Sequence, residues 1–102
     1  MHAYIVDVCR SAVGKNHGLL SHWHPVDLLA AVLDELVLRT GIQGNKVDDV
    51  ICGCVSQVGA HAGNVGRMAV LASKTFPVEV PSTIRPWIAN AVLPSKLCIL
   101  LR

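Results

Sequence analysis

"VDDVICGCVSQVGAHAGNVGRMAVLAS", residues 47–73, decides the fold, because two different periodicities stand side by side in it. The run "VICGCV" is continuously apolar and rich in small residues, the pattern of a strand buried on both faces. "SQVGAH" breaks it as a turn. In "AGNVGRMAVLAS" the residues Val65, Met68, Ala69 and Ala72 then keep helical spacing, with Gly63 and Asn64 supplying a start. A buried strand that passes through a short turn into a helix reads as part of a parallel crossover unit.

Working outward, "HPVDLLAAVLDELVLRTG" at 24–41 predicts a longer helix. Pro25 fits its first position, Leu29, Val32, Leu33 and Leu36 share one face, Arg39 falls in the last turn and Gly41 supplies a left-handed cap. At the start, "AYIVDV" is a β-rich run that predicts a first strand, followed by a loop over residues 11–24 carrying Gly14, Lys15, Gly18 and three histidines. Downstream, "FPVEVPSTI" reads as the approach to a third strand. Strand, helix, strand, helix, strand gives an α/β class with a mostly parallel sheet and right-handed crossover helices.

Composition narrows the function classes. A chain of 102 residues allows one small domain. It is 52% hydrophobic but only 4% aromatic, so the apolar side chains are mainly Val, Leu, Ile and Ala, suited to parallel strands covered by helices. So much apolar content also predicts a large subunit contact or partner structure. A net charge of +2 without a basic cluster argues against nucleic-acid binding. Asp34 and Glu35 break one long apolar run, and Pro94 and Lys96 another, so neither reaches the roughly 20 residues of a membrane span. Asp7 interrupts the first apolar stretch too early for a secretory signal. The cysteines at 9, 52, 54 and 98 have no framework spacing and are expected as reduced thiols of a cytoplasmic protein.

Several residues invite a chemical reading. His22 and His24 in "HWH" are half of a metal site, but a closed zinc site needs about four ligands and the loop has no matching carboxylate or cysteine, so solvated histidines are expected and no metal. Cys52 and Cys54 fall on the same side of a strand and are expected as small buried hydrophobes. Gly59, Gly63 and Gly66 fit neither the dinucleotide fingerprint nor a P-loop, which leaves tight loop packing on a neighbouring chain. Arg67 places a charge one turn into an otherwise apolar helix, where it needs either the surface or a partner at an interface.

Taken together these stretches resemble the thiolase family, in particular the front of acetyl-CoA acetyltransferases. "IVDVCRSAVGK" is similar to the family's first strand and loop, with Ser11 and Ala12 where a Thr and a Pro are usual. "HPVDLLAAVLDELVLRTG" is similar to its first long helix, and "VDDVICGCVSQVG" with "AGNVGRMAVLAS" to its second strand, turn and second helix. "VPST" resembles the approach to the strand that carries the nucleophile. The resemblance implies a partial thiolase-like fold over residues 1–83.

Beyond it the family pattern would read much like "TVDRQCGSSQQAVHFAA", with an acyl-accepting cysteine at a strand-to-helix turn. Here "IRPWIANAVLPSKLCILLR" follows, with neither a thiol nor another usable nucleophile near Asn90 and Ala91. Codons built from the third base of one residue and the first two of the next resolve the difference. Trp87 into Ile88 gives Asp, Ile88 into Ala89 allows Arg, Ala89 into Asn90 allows Gln, and Asn90 into Ala91 allows Cys. The remainder allows Gly, Ser, Ser, Gln, Gln, Ala, Val, His, Phe, Ala, Ala. Residues 84–102 are therefore expected to be a frame-shifted tail, with the change of frame between about Ser82 and Trp87 and an early stop after it.

The resemblance implies an acyl-CoA C-acyltransferase that uses a cysteine thioester, acyl-CoA substrates with no other cofactor, and a homo-oligomer in intact members. None of Cys9, Cys52, Cys54 and Cys98 matches a catalytic place, so this chain is expected to have no catalytic, cofactor-binding or metal site and to be inactive alone. The competing expectation is a non-enzymatic piece that associates with intact thiolase subunits through Gln57, Asn64 and Arg67. Neither nucleic acid nor membrane is expected as a partner.

Overall fold

The structure, a computed structural model, describes residues 2, 4–54, 56–85 and 98–101, with only the backbone of 84–85 and 98–101. Helix α1 (Pro25–Thr40) starts where Pro25 pre-sets the backbone and His24 caps it, the Nδ1 atom accepting from the Val26 N–H at 3.2 Å. It stops at Gly41, whose φ of 68° lets its N–H donate back to the Val37 carbonyl. Leu29, Ala30, Leu33 and Leu36 are the buried stripe, and α1 packs on α2 (Val65–Ala72). Asp34 adds a polar tie between them: its carboxylate accepts from the Lys74 N–H and, at 2.7 Å, from the Thr75 hydroxyl.

Strand β1 (Asp49–Gly53) is the centre of the sheet. Helix α2 carries the chain across to β2 (Ser82–Arg85), which pairs parallel to β1 with Val50 opposite Ser82 and Gly53 opposite Arg85. On the other edge β3 (Cys98–Leu101) pairs antiparallel, with Asp49 opposite Leu101 and Cys52 opposite Cys98. The core under the helices joins Leu29, Leu33, Val50, Cys52, Ala69, Val70, Phe76 and Val80. Burying such side chains supplies about 1.5–3 kcal/mol each, the main favourable contribution to folding.

Two expectations need correction. The run at 3–8 forms no strand among its described residues, and Tyr4, Ile5, Val6 and Val8 are exposed. A strand needs a partner for its N–H and C=O groups; the edges of β1 are taken by β2 and β3, and the run pairs with neither outer strand. The α/β class holds, with β1 and β2 parallel and joined through α2, while β3 on the other edge of β1 runs antiparallel. The buried face of α2 is Val65, Gly66, Ala69 and Val70, while Met68 and Ala72 are exposed. Gly66 explains the rotation: a Cβ there would lie 2.9 Å from Cys52 Sγ and 3.1 Å from Cys52 Cβ, so the helix backbone itself rests on β1.

The expected frame-shifted tail falls mostly on residues 86–97 and 102, outside the described residues; its portion at 98–101 is β3. Gly66→Ala overpacks the contact between α2 and β1. It is expected to destabilise the chain by about 1–3 kcal/mol, read as a lowered urea midpoint, and Cys52→Ala in the same chain should recover part of that loss.

Candidate functional site

The polar residues singled out in the sequence meet at the start of β2. Asn64 stands in the N-cap position of α2, where its Oδ1 accepts from the Arg67 N–H at 2.9 Å. Its amide nitrogen donates in the other direction, to the Ser82 carbonyl at 3.2 Å. One side chain thus fixes both the first turn of the helix and the first residue of the strand.

Arg67 completes the clasp. Its Nη1 donates to the Val80 carbonyl and its Nη2 to the Val78 carbonyl, both at 2.8 Å. The planar guanidinium presents two parallel donors and so holds two carbonyls of one segment at once, which an ammonium would not. The charge in an apolar helix is accounted for within the chain, by backbone carbonyls. Gln57 lies apart from this pair: its amide nitrogen donates to the Cys54 carbonyl at 3.2 Å and closes the turn after β1.

The strand so placed is registered by further contacts. The Val50 N–H donates to the Pro81 carbonyl at 3.0 Å, and the Thr83 hydroxyl donates to Asp49 Oδ2 at 3.4 Å. Asp49 Oδ1 and Ser82 Oγ are buried beside each other's strands without a hydrogen-bond partner among the described residues. The arrangement aims β2. The place near Asn90 and Ala91 lies outside the described residues.

The remaining candidates have structural employment. His24 is the cap of α1, and no group of three or more metal-ligating side chains occurs among the described residues. Cys52 and Cys54 are buried as expected. Gly59 and Gly63 take left-handed φ values of 58° and 71°, so they serve loop geometry. No helix of the described residues is long and apolar enough to cross a membrane. The link from Asp34 to Lys74 and Thr75 escaped the sequence reading, since contacts 40 residues apart leave no periodic trace.

Comparison with known proteins bears on what this geometry serves. Residues 3–85 match the family model described as "Thiolase, N-terminal domain". The steroid 3-ketoacyl-CoA thiolase of Mycobacterium tuberculosis is 49% identical over 79 residues, which is 78% of this chain and 19% of that protein. The β-ketoadipyl-CoA thiolase of Acinetobacter baylyi is 43% identical over 83 residues, 80% of this chain and 20% of that protein. An Escherichia coli 3-oxoadipyl-CoA/3-oxo-5,6-dehydrosuberyl-CoA thiolase is 41% identical over 70 residues, 68% and 18% respectively. The chain spans about a fifth of the length of these relatives.

Removing the clasp should loosen the approach to β2 locally. Arg67→Ala leaves two carbonyls without their charged donor, worth about 1.5–3 kcal/mol. Amide exchange at Val80 and Val50 should speed up at least tenfold, with α1 amides such as Leu33 little changed. Arg67→Lys should fall between the two, because it can serve only one of the carbonyls at full strength.

Proposed function

The chain belongs to the thiolase family, and from that premise we propose that it is the front portion of an acyl-CoA C-acyltransferase whose nucleophile segment is encoded out of frame. In such an enzyme a cysteine accepts the acyl group from an acyl-CoA thioester, a histidine serves as base and a second cysteine moves the α-proton. The 102-residue chain supplies the frame for that chemistry: β1, α2 and the clasp from Asn64 and Arg67 that directs β2. The observation that carries the reading is that the residues from Trp87 onward allow codons which, read one base out of phase, spell the family's cysteine segment where the in-frame residues have none. The match to the family over residues 3–85 supports a boundary in the same place.

Cys98 does not substitute for the missing thiol. It is held in a strand paired with β1, not at a strand-to-helix turn where a helix N-terminus would stabilise a thiolate. The other cysteines are Cys9, in the opening segment, and the buried pair Cys52 and Cys54. The chain is therefore inactive alone, its family substrates are acyl-CoA thioesters of unassigned acyl group, and its compartment is the cytoplasm.

A second reading is a non-enzymatic role in which the chain associates with intact thiolase subunits, themselves homo-oligomers, through the face around Gln57, Asn64 and Arg67. The exposed Val58 beside Gln57, with the exposed run Tyr4 to Val8, favours such a contact over an isolated monomer. Thiolysis of acetoacetyl-CoA by the purified chain with added CoA should run at the uncatalysed rate. Turnover above that rate would sink the proposal, and co-purification with a full-length thiolase would support the second reading.

A further inference from the structure

The cap of α1 is an imidazole, and its geometry fixes the protonation state. His24 Nδ1 accepts from the Val26 N–H at 3.2 Å, so that nitrogen carries no hydrogen and the neutral ring holds its hydrogen on Nε2. The His24 carbonyl accepts from the Leu28 N–H at 3.1 Å and begins the helical ladder. Three turns wind the preceding loop onto this residue: the N–H groups of Gly18, Ser21 and Trp23 donate to the carbonyls of Lys15, Gly18 and Leu20. One exposed side chain therefore joins the loop of residues 11–24 to the first turn of α1.

We propose that His24 is a proton-sensitive cap, which ties the loop to α1 while its ring is neutral and releases the tie when Nδ1 takes a proton from solvent. The added proton turns the acceptor into a donor and leaves the Val26 N–H without its side-chain partner. It also sets a positive charge at the helix end that already bears the positive half of the macrodipole. The charged and titratable groups on the cap's own segment are His22 and Asp27, and the turn Gly59–His61, which packs against α1, brings His61. Asp27 opposes the release, because its carboxylate attracts the protonated ring; an imidazolium at His22 or His61 adds to it. The neutral ring holds the cap, so the contribution is present above the range near about pH 6.5 where an imidazole ordinarily titrates, and is lost as the pH falls through it.

NMR of the full chain at about pH 7.5 and about pH 5.5, on either side of that range, tests the switch. At the higher pH the long-range nitrogen spectrum should show His24 with Nδ1 bare and Nε2 protonated. At the lower pH amide protection, corrected for the intrinsic exchange rate, should fall about fivefold at Val26 and Leu28, the size of a typical N-cap contribution, with Leu33 little changed. His24→Asn supplies an acceptor that does not titrate and should lose this acid response, whereas His22→Gln should keep it. A hydrogen on Nδ1 of His24 at the higher pH would overturn the proposal. So would an equal acid response in His24→Asn, or its disappearance in His22→Gln.

Discussion

The first turn of α2 is the constraint on which the remaining architecture rests. Within four residues it holds Asn64 as cap and strand tie, Gly66 as the point where helix backbone meets Cys52, and Arg67 as the double donor to the carbonyls of Val78 and Val80. These three jobs depend on one another. Only because Gly66 lets the helix settle on β1 does the Arg67 fork reach the segment before β2. With that segment held, the Val50 N–H finds the Pro81 carbonyl and the parallel register of β1 with β2 follows. A helix displaced outward by a side chain at 66 would leave carbonyls unpaired in a partly buried place, which costs more than the packing alone.

Much of this was legible in the residues. Pro25 and Gly41 bracket α1 because each has a backbone requirement that few residues share, and the stripe of Leu29, Leu33 and Leu36 needs only helical spacing. Strand β1 announced itself as an apolar run, and Asn64 as a helix start. What spacing could not convey was which side of a short helix faces inward when a glycine sets the closest approach. Apolarity pointed to Met68 and Ala72; steric access chose Gly66 and Val70. The partners of Arg67 were hidden for a related reason, since main-chain carbonyls are the same in every sequence and only their placement makes them acceptors.

The opening run shows a different limit. Tyr4, Ile5, Val6 and Val8 have the composition of a strand, but composition sets a preference and pairing sets the outcome. Both edges of β1 are occupied, by β2 and β3, and among its described residues the run pairs with none of the three strands. Strand β3 comes from the stretch whose residues we read as a shifted frame, and a short apolar run such as Cys98–Leu101 can pair with an open edge whatever its origin. The molecule carries a thiolase-type helix and strand unit next to an edge filled by β3, a segment to which the proposed change of frame gives a different history.

That history is the central claim, and the nucleotide sequence of codons 82 to 102 tests it most directly. The account predicts an Asn90 codon ending in T, a Ser95 codon of the AG type and third bases throughout that spell Asp, Arg, Gln, Cys, Gly, Ser, Ser across the change of frame. An Asn90 codon ending in C would place Arg where the cysteine belongs, and a Ser95 codon of the TC type would remove the first of the two adjacent glutamines. Either finding would contradict the claim that the acyl-accepting cysteine lies one register away from this protein.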